Sequence, residues 1–307
     1  MFSLGRVLVE YNSRFNNLKV EELYLSFKPY LISIAYRMLG SLTDAEDIVQ
    51  DTFIKLQGSD IPQINNVKSY LSKMVTNRCI NEIKSVRKKR EAYLGTWLPE
   101  PIVHGQLVDP SEKMIQDDSL SYALIILMEK LSAMERAVYV LRKAFQFEHP
   151  EISSMLNITE VNCRKIFSRA KKKIKDLSEK SRIPYQVQED HTDRFISALS
   201  KGNIQEITDI LADNVTFLAD GGGKVVTAIN EIVSKERVLT LLHAIATKFF
   251  TGKTAHVVNV NNQKGIIIVK DGKPIGVFSF VWNPNTHKIH QLFYVVNPAK
   301  LQKINIS

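Results

Sequence analysis

Three sets of side chains in this sequence stand at spacings that could do chemistry. Asp47, Gln50 and Asp51 fall at i, i+3 and i+4, which makes them neighbours on one helix face. Paired carboxylates can act as general acid and base. No histidine, metal-ligand cluster or glycine-rich phosphate loop lies near them in sequence, so a protein-docking face is expected rather than catalysis, with a plain solvated face as the alternative. The second set is basic. Lys84, Arg87, Lys88, Lys89 and Arg90 form one run; Arg164, Lys165, Arg169, Lys171, Lys172, Lys173 and Lys175 form another. Such runs suit phosphate backbones, because each neutralised phosphate releases condensed counterions. A charge run is usually a solvated helix face, but two of them, each ending an amphipathic helix, favour nucleic acid. The third set is Asp220 with His243, His256, His287 and His290. No pair among them has a catalytic spacing, so structural roles are expected.

These residues need elements to position them. From Val20 to about Glu91 the pattern is helical. Leu42, Ala45, Ile48, Val49, Phe53 and Leu56 make one apolar stripe, opposite the acidic set. Thr43 and Glu46 read as a capping box that starts this helix after Gly40-Ser41. Gly58–Asn66 reads as a loop. The next helix places Val67, Leu71, Val75, Cys79, Ile83 and Val86 inside. Asn77, Arg78, Asn81, Lys84 and Arg87 face outward, and Tyr70 near its start is either a stacking surface or core. A groove of Lys, Arg and Asn with an aromatic suits single-stranded DNA.

Further along, Pro150–Leu156 makes a short helix, Asn157-Ile158 turns the chain, and Thr159 caps a second helix. Cys163, Ile166, Phe167, Ala170 and Ile174 share its inner face; Asn162, Arg164, Lys165, Ser168 and Arg169 lie outside. This is the pattern of a helix-turn-helix whose second helix enters a major groove, with Arg169 and the following lysines on phosphates. A soluble αα-hairpin is the alternative.

Between these helical parts, Trp97-Leu98-Pro99-Glu100-Pro101, Gly105 and Asp109-Pro110 cannot continue a helix and read as an extended linker. After Pro184 two helical stretches precede alternating runs at Val215–Leu218, Ala255–Val260, Gly265–Lys270, Pro274–Val281 and Ile289–Val295. Helix Lys235–Phe250 interrupts them, and Asp271-Gly272 signals a hairpin. This is an α+β module.

Its 307 residues suggest about two domains at roughly 150 residues each. Hydrophobic content of 44% and charged content of 24% are those of a globular chain, which excludes wholesale disorder. No apolar stretch approaches the ~20 residues of a membrane span. No sustained apolar run follows the N-terminus, so neither signal peptide nor membrane location is expected. Two cysteines, Cys79 and Cys163, supply neither a disulfide framework nor a metal cluster. A cytoplasmic protein with no metal or cofactor is the expectation.

Asp44-Ala-Glu-Asp-Ile-Val-Gln-Asp-Thr-Phe53, the helix from Ser69 through Glu91, and the helix-turn-helix ending at Ser168–Lys173 together resemble bacterial sigma factors of the extracytoplasmic-function class. The first two are similar to region two, and Leu120–Leu177 to region four. Trp97–Pro101, Asp220-Gly221-Gly222-Gly223-Lys224 and Asn297-Pro298-Ala299-Lys300-Leu301 resemble the subgroup with a fused SnoaL-like (NTF2-fold) C-terminal domain, often called sigma-J-like. The resemblance implies a multidomain fold: an N-terminal extension (1–20), an all-α region-two bundle (21–92), a linker (93–116), an all-α region-four helix-turn-helix (117–183) and an α+β SnoaL-like cone domain (187–301).

It implies a non-enzymatic role, binding core RNA polymerase and directing it to promoters. Asp47, Gln50 and Asp51 match positions that dock on the clamp helices of the largest subunit, and region four implies contact with the flap of the second. Asn65, Asn77, Arg78, Asn81, Lys84 and Arg87 match the −10 element reader. Asn162, Arg164, Lys165, Ser168 and Arg169 match the −35 reader. Trp97, Pro99, Glu100, Asp220, Gly221, Gly222, Gly223 and Lys224 are expected to link the linker and C-terminal module in regulation in cis, with a small-molecule ligand in the C-terminal pocket as its modulator. Three features depart from the family pattern: His149-Pro150 stands where a tyrosine and a polar residue are commoner, Ile166 occupies a position that is often basic in other subgroups, and Ala299 stands where an acid is usual. The alternative function is a DNA-binding unit fused to an active SnoaL-like isomerase or hydrolase.

Overall fold

The computed structural model describes residues 3–57, 66–91, 93–103, 121–178, 185–249, 252–283 and 285–304. Its helices are α1 (Ser3–Leu39), α2 (Leu42–Gln57), α3 (Val67–Glu91), α4 (Tyr122–Met128), α5 (Ala133–Lys143), α6 (His149–Leu156), α7 (Glu160–Ser178), α8 (Tyr185–Ser200) and α9 (Ile204–Ile210). Then come β1 (Leu211–Asp220), β2 (Ile232–Val233), α10 (Lys235–Phe249), β3 (Thr254–Val260), β4 (Gln263–Lys270), β5 (Lys273–Trp282), β6 (Ile289–Val295) and α11 (Pro298–Leu301). They form two compact units. One holds α1, α2, α3 to Ser85, α5, α6 and α7 to Ala170; the other holds the linker residues 93–103, α4 and everything from α8 onward.

In the first unit, Gly40 takes φ 69° and ends α1 in the left-handed turn that glycine adopts without strain. The next residue is the cap: Ser41 Oγ accepts from the Asp44 amide at 3.1 Å. The expected Thr43–Glu46 box does not start the helix, because the reversal at Gly40 sets the first free amide two residues earlier. Helix α2 then buries Leu42, Ala45, Val49, Phe53 and Leu56, with the Phe53 ring edge-on to Tyr24 at 5.1 Å. Each large apolar side chain so buried stabilises by about 1.5–3 kcal/mol.

Ser132 and Glu135 close a capping box on α5. The Arg136 guanidinium, buried, donates to the Met38 carbonyl at 2.7 Å, and Phe145 meets Tyr30 edge-on at 5.2 Å. Asn157 ends α6 at φ 58°, and Thr159 Oγ1 accepts from the Asn162 amide at 3.2 Å, the turn and cap expected from the sequence.

The second unit is a six-stranded sheet of order β2-β1-β6-β5-β4-β3. The β1–β6 pair is parallel; the other pairs are antiparallel. Asp271 and Gly272, at φ 50° and 71°, make the positive-φ two-residue hairpin turn the sequence signals. Alternation along the strands sorts side chains to two faces. One face packs Phe217, Phe278, Phe280, Trp282 and Tyr294 against Phe195 of α8, Ile207 of α9 and Leu242 of α10. The other packs Ile267, Val277, Phe293 and Val295 against Leu98 and Val103 of the linker, Tyr122 of α4, and Leu301. Linker residues 98–103 are therefore a buried layer of this unit.

Candidate functional site

On α2, Asp47, Gln50 and Asp51 are exposed, since the buried stripe occupies the opposite side. Ile54, one turn further along that face, is 56% exposed; sequence reasoning passed over this apolar centre among polar neighbours, for which its spacing from Asp47 and Gln50 was the available signal. The structure also joins two residues expected in separate roles. Arg78 Nη1 lies 3.8 Å from Asp51 Oδ2, and its Nη2 donates to the Asp51 carbonyl at 3.3 Å. An exposed pair of this kind contributes at most about 1 kcal/mol, so either partner can exchange it for a better one.

Asn81 and Lys84 on α3 are exposed. Asn77 is engaged: its amide donates to the Met155 carbonyl of α6 at 3.1 Å and to its own Lys73 carbonyl at 2.9 Å. The first helix of the helix-turn-helix thus lies against the α3 face expected to read DNA, a long-range pairing that one-dimensional periodicity does not encode. Asn65 lies outside the described residues, as does the Arg87 side chain. Tyr70 is half-buried.

Along α7, Asn162, Arg164, Lys165, Ser168 and Arg169 are all exposed, while Cys163, Ile166 and Ala170 are buried. Arg164 donates through Nε and Nη2 to Glu160 Oε1 at 2.9 and 2.6 Å, which pre-orients its guanidinium along the helix. Beneath this surface His149 Nδ1 stands 3.5 Å from Cys163 Sγ, with the ring edge-on to Phe167 at 5.5 Å. Burial, then the Arg164 and Arg142 charges, hold His149 below the usual histidine range. Burial likewise pushes the Cys163 thiol up. This pair pins α6 to α7.

In the second unit the three sequence motifs converge on Asp220, which is fully buried. Its Oδ1 accepts from the Tyr93 hydroxyl at 2.5 Å and from the Gly222 amide at 2.9 Å. Its Oδ2 accepts from the Leu98 amide at 2.8 Å and from Lys300 Nζ at 2.7 Å. Lys300 also donates to the Leu98 carbonyl, and its ammonium lies 4.1 Å from the centre of the Trp97 ring, a favourable cation–π placement. The Pro99 carbonyl accepts from the Tyr122 hydroxyl at 2.7 Å, and Glu100 is buried. Gly222 and Gly223 sit at φ 62° and 69°, and a Cβ on Gly222 would strike the Asn297 side chain. The glycines make a tight turn, and they also let Asn297 close in. Lys224 is exposed. Sequence reasoning missed Tyr93 and Lys300 as partners of Asp220.

The remaining histidines form no site with Asp220. His243, His256 and His287 are exposed, His256 lies 2.9 Å from Thr254 Oγ1, and His290 lies 2.9 Å from Asn283 Nδ2. The sheet face toward α8–α10 is occupied by the aromatic rings of Phe217, Phe278, Phe280, Trp282 and Tyr294, covered by Phe195 of α8. Among the described residues no group of three or more His, Cys, Asp or Glu could hold a metal ion. No described helix is long and apolar enough to cross a membrane.

Comparison with known proteins gives two family matches: Sigma-70 region 2 over residues 23–90 and Sigma-70, region 4 over residues 122–174. The chain is similar to the ECF RNA polymerase sigma factor SigJ of Mycobacterium tuberculosis, 28% identical over 231 residues that cover 74% of this chain and 73% of that protein. It is also similar to the probable ECF RNA polymerase sigma factor SigI of the same species, 29% identical over 202 residues, 64% and 68% of the two chains. The crystal structure of the M. tuberculosis extracytoplasmic function sigma factor SigJ superposes with a TM-score of 0.73 at 24% identity, covering 93% of this chain and 99% of that one. That likeness is one of fold.

Proposed function

We propose, from the premise that this chain belongs to the extracytoplasmic-function sigma factors of the sigma-70 family with a fused SnoaL-like domain, how its exposed faces divide the work. As a sigma factor it binds core RNA polymerase and directs it to promoters, and is not itself an enzyme. The acidic face of α2, with Asp47, Gln50 and Asp51, docks on the clamp helices of the largest subunit, and the helix-turn-helix contacts the flap of the second. Asn81 and Lys84 of α3, with Asn77 once released from Met155, Arg78 once released from Asp51, and Arg87 and Asn65, read and open the −10 region. Opening there extrudes a base, which a protein pocket must hold. Asn162, Arg164, Lys165, Ser168 and Arg169 read the −35 duplex, with Arg169 on phosphate. The linker and the C-terminal domain regulate in cis through Asp220, modulated by a small ligand. The site of action is the cytoplasm, where polymerase and promoter are.

The observation that carries this reading is the exposure of one acidic and one basic helix face, each backed by a buried apolar stripe. A pull-down of core polymerase tests it. Asp47→Ala with Asp51→Arg should abolish capture while leaving the helical fold unchanged, since both side chains are exposed; undiminished capture refutes the docking assignment.

A further inference from the structure

We propose that the groove between the linker and the Gly221–Ile229 loop binds a short alkyl carboxylate. This proposal rests on the reading that a small ligand modulates the C-terminal domain, and it names the ligand's place and chemistry. The half-open groove offers about 220 Å³, and Leu94, Gly95, Val225, Val226, Thr227 and Ile229 are among its walls. That volume lies above the ~150 Å³ of a cavity that holds a benzene ring and below the ~300 Å³ at which drug-sized sites begin.

The wall chemistry selects the occupant. Leu94, Val225, Val226 and Ile229 are 63%, 38%, 103% and 56% exposed, a cluster of exposed aliphatic side chains of the kind that marks ligand-binding grooves. Ala219 and Ala228 complete the apolar wall, and among the described residues no aromatic ring lines the groove. A flexible alkyl chain therefore fits better than a flat ring, which would want a stacking partner. Among the described residues Lys224 is the one charged member of the lining, so the head group is a single anion. At a share of roughly 30 Å³ per water-sized group, the volume takes about seven carbons.

Position gives the ligand its consequence. Leu94 follows Tyr93 in the linker, and Gly221 follows Asp220 in the loop; Tyr93 and Asp220 are hydrogen-bonded to each other at 2.5 Å. Thr96 Oγ1 lies 3.5 Å from the Ile229 carbonyl. An alkyl chain touching Leu94 on one side and Val225 and Ile229 on the other covers apolar surface only while the linker is docked, so its binding favours the docked linker.

Calorimetric titration of the full chain with octanoate, 1-octanol and benzoate tests this. Octanoate should bind, and Lys224→Gln should weaken it about fivefold, the weight of one exposed ion pair. Octanol should bind wild type and Lys224→Gln equally, and benzoate should bind worst. Val226→Asp, at a wholly exposed position that cannot upset the core, should remove octanoate and octanol binding together. Absence of octanoate heat at millimolar concentration at two well-separated temperatures overturns the site, because apolar burial has a heat that changes with temperature; so does equal binding to wild type and Val226→Asp. Because no polymerase is present, failure of the sigma-factor reading would leave these titrations untouched. Transcription by wild-type holoenzyme with and without octanoate then reads the modulation: no change, with binding intact, would overturn the modulator role alone.

Discussion

Replacing Lys300 by methionine should undock the linker. Asp220 is fully buried and receives four donors, three of them neutral: the Tyr93 hydroxyl and the amides of Leu98 and Gly222. Lys300 Nζ, 2.7 Å from Oδ2, is its one charged partner among these. Removing one member of a buried pair leaves an uncompensated charge and costs about 3–5 kcal/mol. The three neutral donors remain to soften the loss, so about 3 kcal/mol is the expected figure. Hydrogen exchange at the Leu98 amide, which donates to that carboxylate at 2.8 Å, measures local opening without requiring the whole chain to unfold in one step. A loss of about 3 kcal/mol makes exchange there roughly a hundredfold faster. Asp220→Asn should act comparably, since it turns one acceptor into a donor facing other donors. The double variant should lose less than the sum of the two, because the residues are in direct contact. Leu98 exchange unchanged in Lys300→Met, or strict additivity in the double variant, would refute the view that the pair holds the linker.

Other outcomes follow from the same geometry. Arg169→Ala should weaken promoter binding almost uniformly across −35 sequences and reduce the salt slope by about one, as loss of one phosphate contact does; slopes from fluorescence anisotropy check it. Ile54→Arg should cost more than about 1 kcal/mol in affinity for core polymerase, with thermal stability unchanged because the side chain is already exposed. Acidification should loosen the helix-turn-helix. His149 is held below its usual range by burial and by Arg164 and Arg142, so below about pH 6.5 the unfolded chain takes up a proton that the folded one resists. Stability therefore falls as pH falls through that window, and amide exchange of α6 and α7 should show a slope that His149→Gln removes.

Much of this architecture is legible in one dimension, for definite reasons. The strands announce themselves because Pro274–Val281 and Ile289–Val295 are short runs rich in β-branched and aromatic residues, buried on both faces in the sheet, and Asp271-Gly272 supplies the turn. The second helix of the helix-turn-helix is legible because Cys163, Ile166 and Ala170 share one face and the charges another. Local competition hides other features: Ser41, not Thr43, caps α2, since the preceding glycine decides where the chain reverses. Distance hides more. Tyr93 and Lys300 are separated from Asp220 by 127 and 80 positions, and the bond from Asn77 to Met155 spans 78. No periodicity reports such pairs; only the folded chain does.

Initiation itself is the direct test of the central claim. Core RNA polymerase should be supplied with this chain and a library of promoter-bearing templates, and transcript starts mapped. The expected result is a defined set of starts that requires the chain and is lost with Asp47→Ala and Asp51→Arg. Transcripts that do not depend on the chain, or a chain that binds polymerase and DNA yet yields no new start, would contradict it.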